Sequence, residues 1–145
     1  MLTRKASSNG IPGWCTLSKA LKIRVLNRTR ETVLAEAADV ADTSQKRRTG
    51  LLKHTSLPSG EGLWISPCEG VHSFGMKFAI DLVYLDKRKV VKKVRSRMVP
   101  GRISFCLTAR SVLELPAGMV EATSTQRGDE LIFEKLLDDV VEASA

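Results

Sequence analysis

A chain of 145 residues fits one domain with one principal core, and its 43% hydrophobic and 27% charged content excludes a disordered or collagen-like polymer. The net charge of +7 is uneven: residues 1–127 hold 22 Lys/Arg against 10 Asp/Glu, while residues 128–145 hold 1 against 6. This charge permits an anionic partner without requiring one.

No apolar run approaches the length that crosses a bilayer, so no membrane partner is expected. Arg4 and Lys5 are not followed by a convincing signal-peptide core, which favours the cytoplasm. Cys15, Cys68 and Cys106 are too few and too widely spaced for a disulfide framework, and reduced thiols fit that compartment.

Residues 1–20 read as a flexible arm, because Ser7, Ser8, Asn9, Gly10, Pro12 and Gly13 favour turns. A single mainly β domain is expected over residues 21–137, followed by an acidic tail at 138–145. Leu21, Ile23 and Val25 alternate with Lys22 and Arg24, the pattern of a half-buried strand. A turn near Asn27–Arg30 returns the chain into Thr32–Ala37 as a hairpin. Asp42, Thr43 and Ser44 offer short side-chain oxygens to cap a helix beginning near residue 43. Gly50 weakens that helix.

Gly62–Ser66 reads as the next strand. Residues 71–77 and 79–85 then read as two closely connected strands, with Asp86–Lys87–Arg88 turning into Lys89–Val94. Pro100 and Gly101 predict a loop, and Ile103, Phe105 and Leu107 permit a short strand before Arg110–Leu115. Pro116–Ala117–Gly118 predicts a turn, and Gly128–Asp129 another before Glu130–Leu137. Short strands with one principal short helix predict a compact, mainly β domain with hairpin connections.

The segment VHSFGMKFAIDLVYLD at residues 71–86 sets His72, Lys77 and Asp81 among apolar neighbours. A carboxylate in such a run must be paired or exposed, because burying it alone is costly. The segment follows RTGLLKHTSLPSGEGLWI at Arg48–Ile65 and precedes SVLELPAG at Ser111–Gly118 and RGDEL at Arg127–Leu131. Their order and wording resemble the bacterial and archaeal domain-of-unknown-function family 192, over roughly residues 30–136. The resemblance implies a small antiparallel β barrel-like or sandwich-like domain. It assigns no biochemical role. Met76, Lys77, Asp81 and Glu114 keep the family's local pattern. Gly75 stands where the family commonly has an aromatic, and Phe78–Ala79 replaces a more polar passage, so no ligand role of those family positions carries over. Many family members look exported, whereas this chain lacks the expected signal segment.

Three site chemistries follow from the residues. His72, Lys77, Asp81 and Glu114 around an opening would hold a small polar or anionic ligand, or else would form a buried polar network that fixes strand register. The run Lys87, Arg88, Lys89, Lys92, Lys93, Arg95, Arg97 and Arg102 contains no acidic residue, which suits nucleic-acid phosphates. It also lacks interleaved aromatics for base stacking, and a solvated face or a protein contact is the simpler reading. Cys68, His72 and Cys106 are zinc-compatible ligand types, but without a paired CxxC spacing or a fourth ligand no metal or other cofactor is expected. His54 reads as a surface or helix-end residue.

No nucleophile stands beside an evident base, so no catalytic residue is assigned. The expected function is therefore non-enzymatic binding of a small polar or anionic ligand. Nucleic-acid binding through Lys87–Arg102, and a structural or protein-interaction role, are the alternatives.

Overall fold

A computed structural model describes residues 21–136; the N-terminal arm and the acidic tail lie outside the described residues. β1 (Lys22–Asn27) and β2 (Thr32–Ala41) form the expected antiparallel hairpin. Asn27 organises the turn by accepting a hydrogen bond from the Arg30 amide at 3.0 Å.

β2 is followed by α1 (Ser44–Thr49), whose first turn is capped by the Thr43 hydroxyl accepting from the Lys46 amide at 3.1 Å. Gly50 ends the helix at φ +48°. β3 (Glu61–Ile65) then runs parallel to β2, an exception to the all-antiparallel expectation. A parallel neighbour needs a crossover, and residues 42–60 with α1 supply it.

The remaining elements are β4 (Gly70–His72), β5 (Ile80–Leu85), β6 (Val91–Met98), β7 (Ile103–Phe105), β8 (Ser111–Pro116), α2 (Met119–Thr123) and β9 (Leu131–Lys135). Among the described residues, seven strands form one sheet in the order β9-β1-β2-β3-β8-β5-β6, and β4 pairs with β7 in a separate two-stranded sheet. The large sheet curls into a half-barrel. Its two edge strands meet at one end, where Val90 bridges Glu130 and the Val91 amide donates to Asp129 O at 2.8 Å.

Two apolar clusters cover opposite faces of this sheet. Val25, Leu34, Val83, Leu85, Leu113, Leu115 and Val120 belong to one, on the α2 side. Leu51, Leu63, Ile65, Met76, Ile80, Leu82, Tyr84 and Val112 belong to the other, beneath α1 and the small sheet. Every residue of β5 is therefore buried, which explains its nearly continuous apolar sequence. Full burial of each large aliphatic side chain contributes about 1.5–3 kcal/mol.

Three expectations need correction. The strand expected at residues 71–77 ends at His72, because Ser73 turns inward and Gly75 adopts φ +82°. The Ser73 hydroxyl donates to Val99 O at 2.7 Å and accepts from the Arg102 amide at 2.9 Å, which fixes this loop. The turn at Pro116–Gly118 leads directly into α2, so a second short helix joins the one expected. The strand expected at Lys89–Val94 starts later and reaches Met98.

Candidate functional site

Strand register decides which of the predicted polar residues meet. On the β5–β8 ladder Leu82 lies opposite Glu114 and Asp81 opposite Leu115. Successive side chains alternate between faces, so Asp81 and Glu114 point to opposite sides of the sheet.

Asp81 is fully buried on the α2 side. Its Oδ1 accepts from the Arg97 amide at 2.8 Å, and its Oδ2 accepts from the Gly118 and Val120 amides at 3.1 and 2.8 Å. The carboxylate thus caps the start of α2 and binds it to β6. Lys77 is exposed in the loop before β5 and does not line the pocket that takes Glu114.

His72 and Glu114 do come together. They line a cavity of about 360 Å³ between α1, the end of β3, β4 and Met76. Arg47, Arg48, Cys68, Leu51 and Ile65 complete the relevant wall. Arg47 is positioned by donating to Asp42 O at 3.1 Å and Ser66 O at 3.4 Å, which draws α1 toward the end of β3. His72 stacks on Phe74 with ring centroids 5.4 Å apart.

Glu114 forms the floor. It is 3% exposed, and its Oε1 has no hydrogen-bond partner among the described residues. Burial pushes its carboxyl up to about 7 by stripping the charged form of its hydration. Among the described residues, the Tyr84 and Ser104 hydroxyls are also buried without partners. Burial lifts Tyr84 to about 12. The site therefore combines a neutral-to-anionic acceptor at depth with guanidinium groups nearer the mouth.

Cys68 and Cys106 are free thiols, and both are only partly buried. Burial raises the Cys68 thiol above its ordinary range, which keeps it protonated and weakly nucleophilic. Its sulfur donates to Gly70 O at 3.0 Å. Among the described residues, no three His, Cys, Asp or Glu side chains converge as metal ligands. A second cavity opens on the other side of α1, beside Val40, Lys46, His54 and Leu63.

The basic run is partly engaged with the protein itself. Lys89 lies over the Trp64 and Phe133 rings at 5.1 and 5.2 Å. Lys93 donates to Phe105 O at 2.9 Å, and Arg95 to Ile103 O at 3.4 Å. Arg97 pairs with Glu121 at 2.9 Å. Lys87, Arg88 and Arg102 are exposed, while Lys92 is half-buried on β6.

Arg47, Arg48 and Cys68 are site residues that the sequence reading did not place beside Glu114. The N-capped helix signal at Thr43 was visible, but its position over the end of β3 depends on the parallel crossover.

The DUF192 family model, described as "Uncharacterized ACR", matches residues 25–133. A UPF0127 protein of Thermococcus sibiricus is 30% identical over 117 residues, covering 76% of this chain and 74% of that protein. Among solved structures, a Sinorhizobium meliloti 1021 protein provisionally named a transcription regulator matches with TM-score 0.69 at 17% identity, over 79% of this chain and 94% of that one. A Novosphingobium aromaticivorans protein of unknown function matches with TM-score 0.68 at 18% identity, over 90% of this chain and 98% of that one. At these identities the two structures establish a shared fold.

Proposed function

The chain belongs to the DUF192 family, and from that premise we propose that it is a non-enzymatic binding domain for a small polar ligand held in the Glu114 cavity. The observation that carries this reading is that Glu114, whose buried Oε1 has no partner among the described residues, is one of the residues lining the cavity. An unsatisfied buried acceptor costs about 1–3 kcal/mol, and a ligand N–H or O–H reaching it would recover that cost. Arg47, Arg48 and His72 suit a carboxylate, phosphate or other acceptor-rich group at the opposite end of the ligand. The ligand class is therefore a small molecule with a donor at one end and an anionic group at the other.

The volume of about 360 Å³ falls near the lower end of small-molecule sites. A protonated Cys68 thiol and the stacking of His72 on Phe74 argue against a poised nucleophile–base pair, which favours binding over turnover. The same reading puts the protein in the cytoplasm, a reducing compartment that the free Cys68 and Cys106 thiols suit.

Amide chemical-shift titration with separate pools of amino acids, hydroxy acids and sugar phosphates tests the proposal. A saturable response around Arg48, Cys68 and Glu114, weakened about tenfold or more by Glu114→Gln or Arg48→Gln, is expected. Absence of such a response from every pool, or an affinity in both variants equal to the parent's, would reject the cavity as a ligand site.

A further inference from the structure

We propose that the outer face of the β4–β7 sheet docks single-stranded nucleic acid, with bases stacking on Phe74 and Phe105 and phosphates meeting Lys93, Arg95 and Arg102. The inference uses a different face from the Glu114 cavity and shares only His72 with it. It begins with an exposed apolar surface where none is needed for folding. Phe74 is 51% exposed, Ile103 59% and Phe105 58%. A soluble domain gains little by leaving two phenyl rings in water, and an exposed aromatic cluster marks a contact surface.

The backbone places these groups on one face. Ile103 and Phe105 are two residues apart on β7, while Ser104 between them is buried. Their side chains therefore point outward together, about 7 Å apart along the strand. Ile103 lies opposite His72, which stacks on Phe74. Phe105 lies opposite Gly70, so the neighbouring strand puts no side chain against its ring. The result is a row from Phe74 through His72 and Ile103 to Phe105.

Cations border the row by specific contacts. The Lys93 ammonium donates to the carbonyl of Phe105, and the Arg95 guanidinium to that of Ile103. Each group retains further N–H donors for a phosphate. Arg102, exposed one residue before Ile103, adds a third charge. No acidic residue occurs in either segment that builds the surface, residues 70–80 and 87–113. The basic strand has no aromatics of its own; the fold brings them in from two other segments.

Charge complementarity and exposed π faces together select the occupant. A single strand offers both phosphates and free base faces, whereas a duplex keeps its base faces stacked away. A lipid surface or an acidic peptide would use the cations and the apolar area without needing aromatic rings.

Fluorescence anisotropy of the full chain with labelled oligo(dT) and oligo(U), between about 50 and 200 mM salt, tests the assignment. Salt-weakened binding is expected, with a preference over duplex DNA. Phe74→Ala and Phe105→Ala should each weaken it about tenfold, at an unchanged thermal midpoint, and Phe105→Tyr should restore it. Arg102→Gln should reduce the salt slope by about one phosphate contact. The proposal is overturned if no oligonucleotide binds, or if heparin and duplex DNA bind equally well. It is equally overturned if the alanine variants bind like the parent, or if the surface prefers anionic vesicles or acidic peptides to oligonucleotides.

Discussion

Asp81 and Glu114 sit on neighbouring strands of one ladder and face opposite ways, one fully bonded and one with an unpartnered oxygen. Asp81 receives three backbone amides from two other elements, so its charge is met by dipoles on the α2 side. Glu114 receives nothing at Oε1 and lines a cavity. Two acidic residues that look alike in sequence thus have different work.

Replacing Asp81 by Asn should be strongly destabilising. The amide cannot accept all three hydrogen bonds, and its NH₂ group would face amide donors. The expected loss is on the order of 3–5 kcal/mol, because charge-assisted bonds to a buried carboxylate are involved. Urea unfolding checks this. A loss under about 1 kcal/mol would mean that α2 does not depend on this cap.

Glu114 should make stability fall with rising pH. Its folded carboxyl titrates near 7 against an ordinary 4.5, so the folded state holds the proton more tightly. The contribution is complete below about 4.5 and is lost as pH rises through about 7, amounting to roughly 3 kcal/mol. Glu114→Gln should remove this slope and be the more stable protein at pH 8. Denaturant midpoints of both proteins at pH 5 and pH 8 provide the comparison; parallel changes in the two would refute it.

Asp129 should act in the opposite sense, at lower pH. Burial alone would raise its carboxyl, but the Asn27 amide, Arg30 and the Gln126 N–H outweigh burial and hold it below its ordinary range. Its contribution is present above the unfolded value of about 3.8 and is lost as pH falls through the lower folded value. Asp129→Asn should cost about 1–3 kcal/mol at neutral pH and flatten the acid limb of a stability curve. An acid limb identical to the parent's would contradict the assignment.

Gly62 should not accept a side chain. A Cβ there would stand 2.9 Å from Glu114 O and 3.1 Å from Leu115 Cδ2. The first contact is backbone and cannot rotate away, so Gly62→Ala should cost about 1–3 kcal/mol by forcing β3 from β8. Thermal denaturation decides the size, and Glu114 amide shifts should move with it.

Much of the architecture was legible where the pattern is local. Alternation at Leu21–Val25, the cap at Thr43 and the apolar run Ile80–Leu85 each carry their own signal. Non-local causes were not. α2 is a five-residue helix whose starting amides are held by a carboxylate 37 and 39 positions away, so Pro116–Gly118 alone reads as a turn. The polar segment drew attention to His72, Lys77 and Asp81, and SVLELPAG to Glu114, but the face of each residue depends on strand register. Arg47 and Arg48 looked like helix surface because nothing local shows that α1 crosses above Glu114.

The pairing of β9 with β1 also constrains how the protein is made. Asn27 and Asp129, joined by a 2.9 Å hydrogen bond, are 102 positions apart. On the ribosome the β1–β2 hairpin emerges early, yet one flank of β1 has no strand to pair with until Leu131–Lys135 follows. For most of synthesis, that flank is an open template for another nascent chain. Translation that stalls before Leu131 would leave a nearly complete domain with its first strand uncovered.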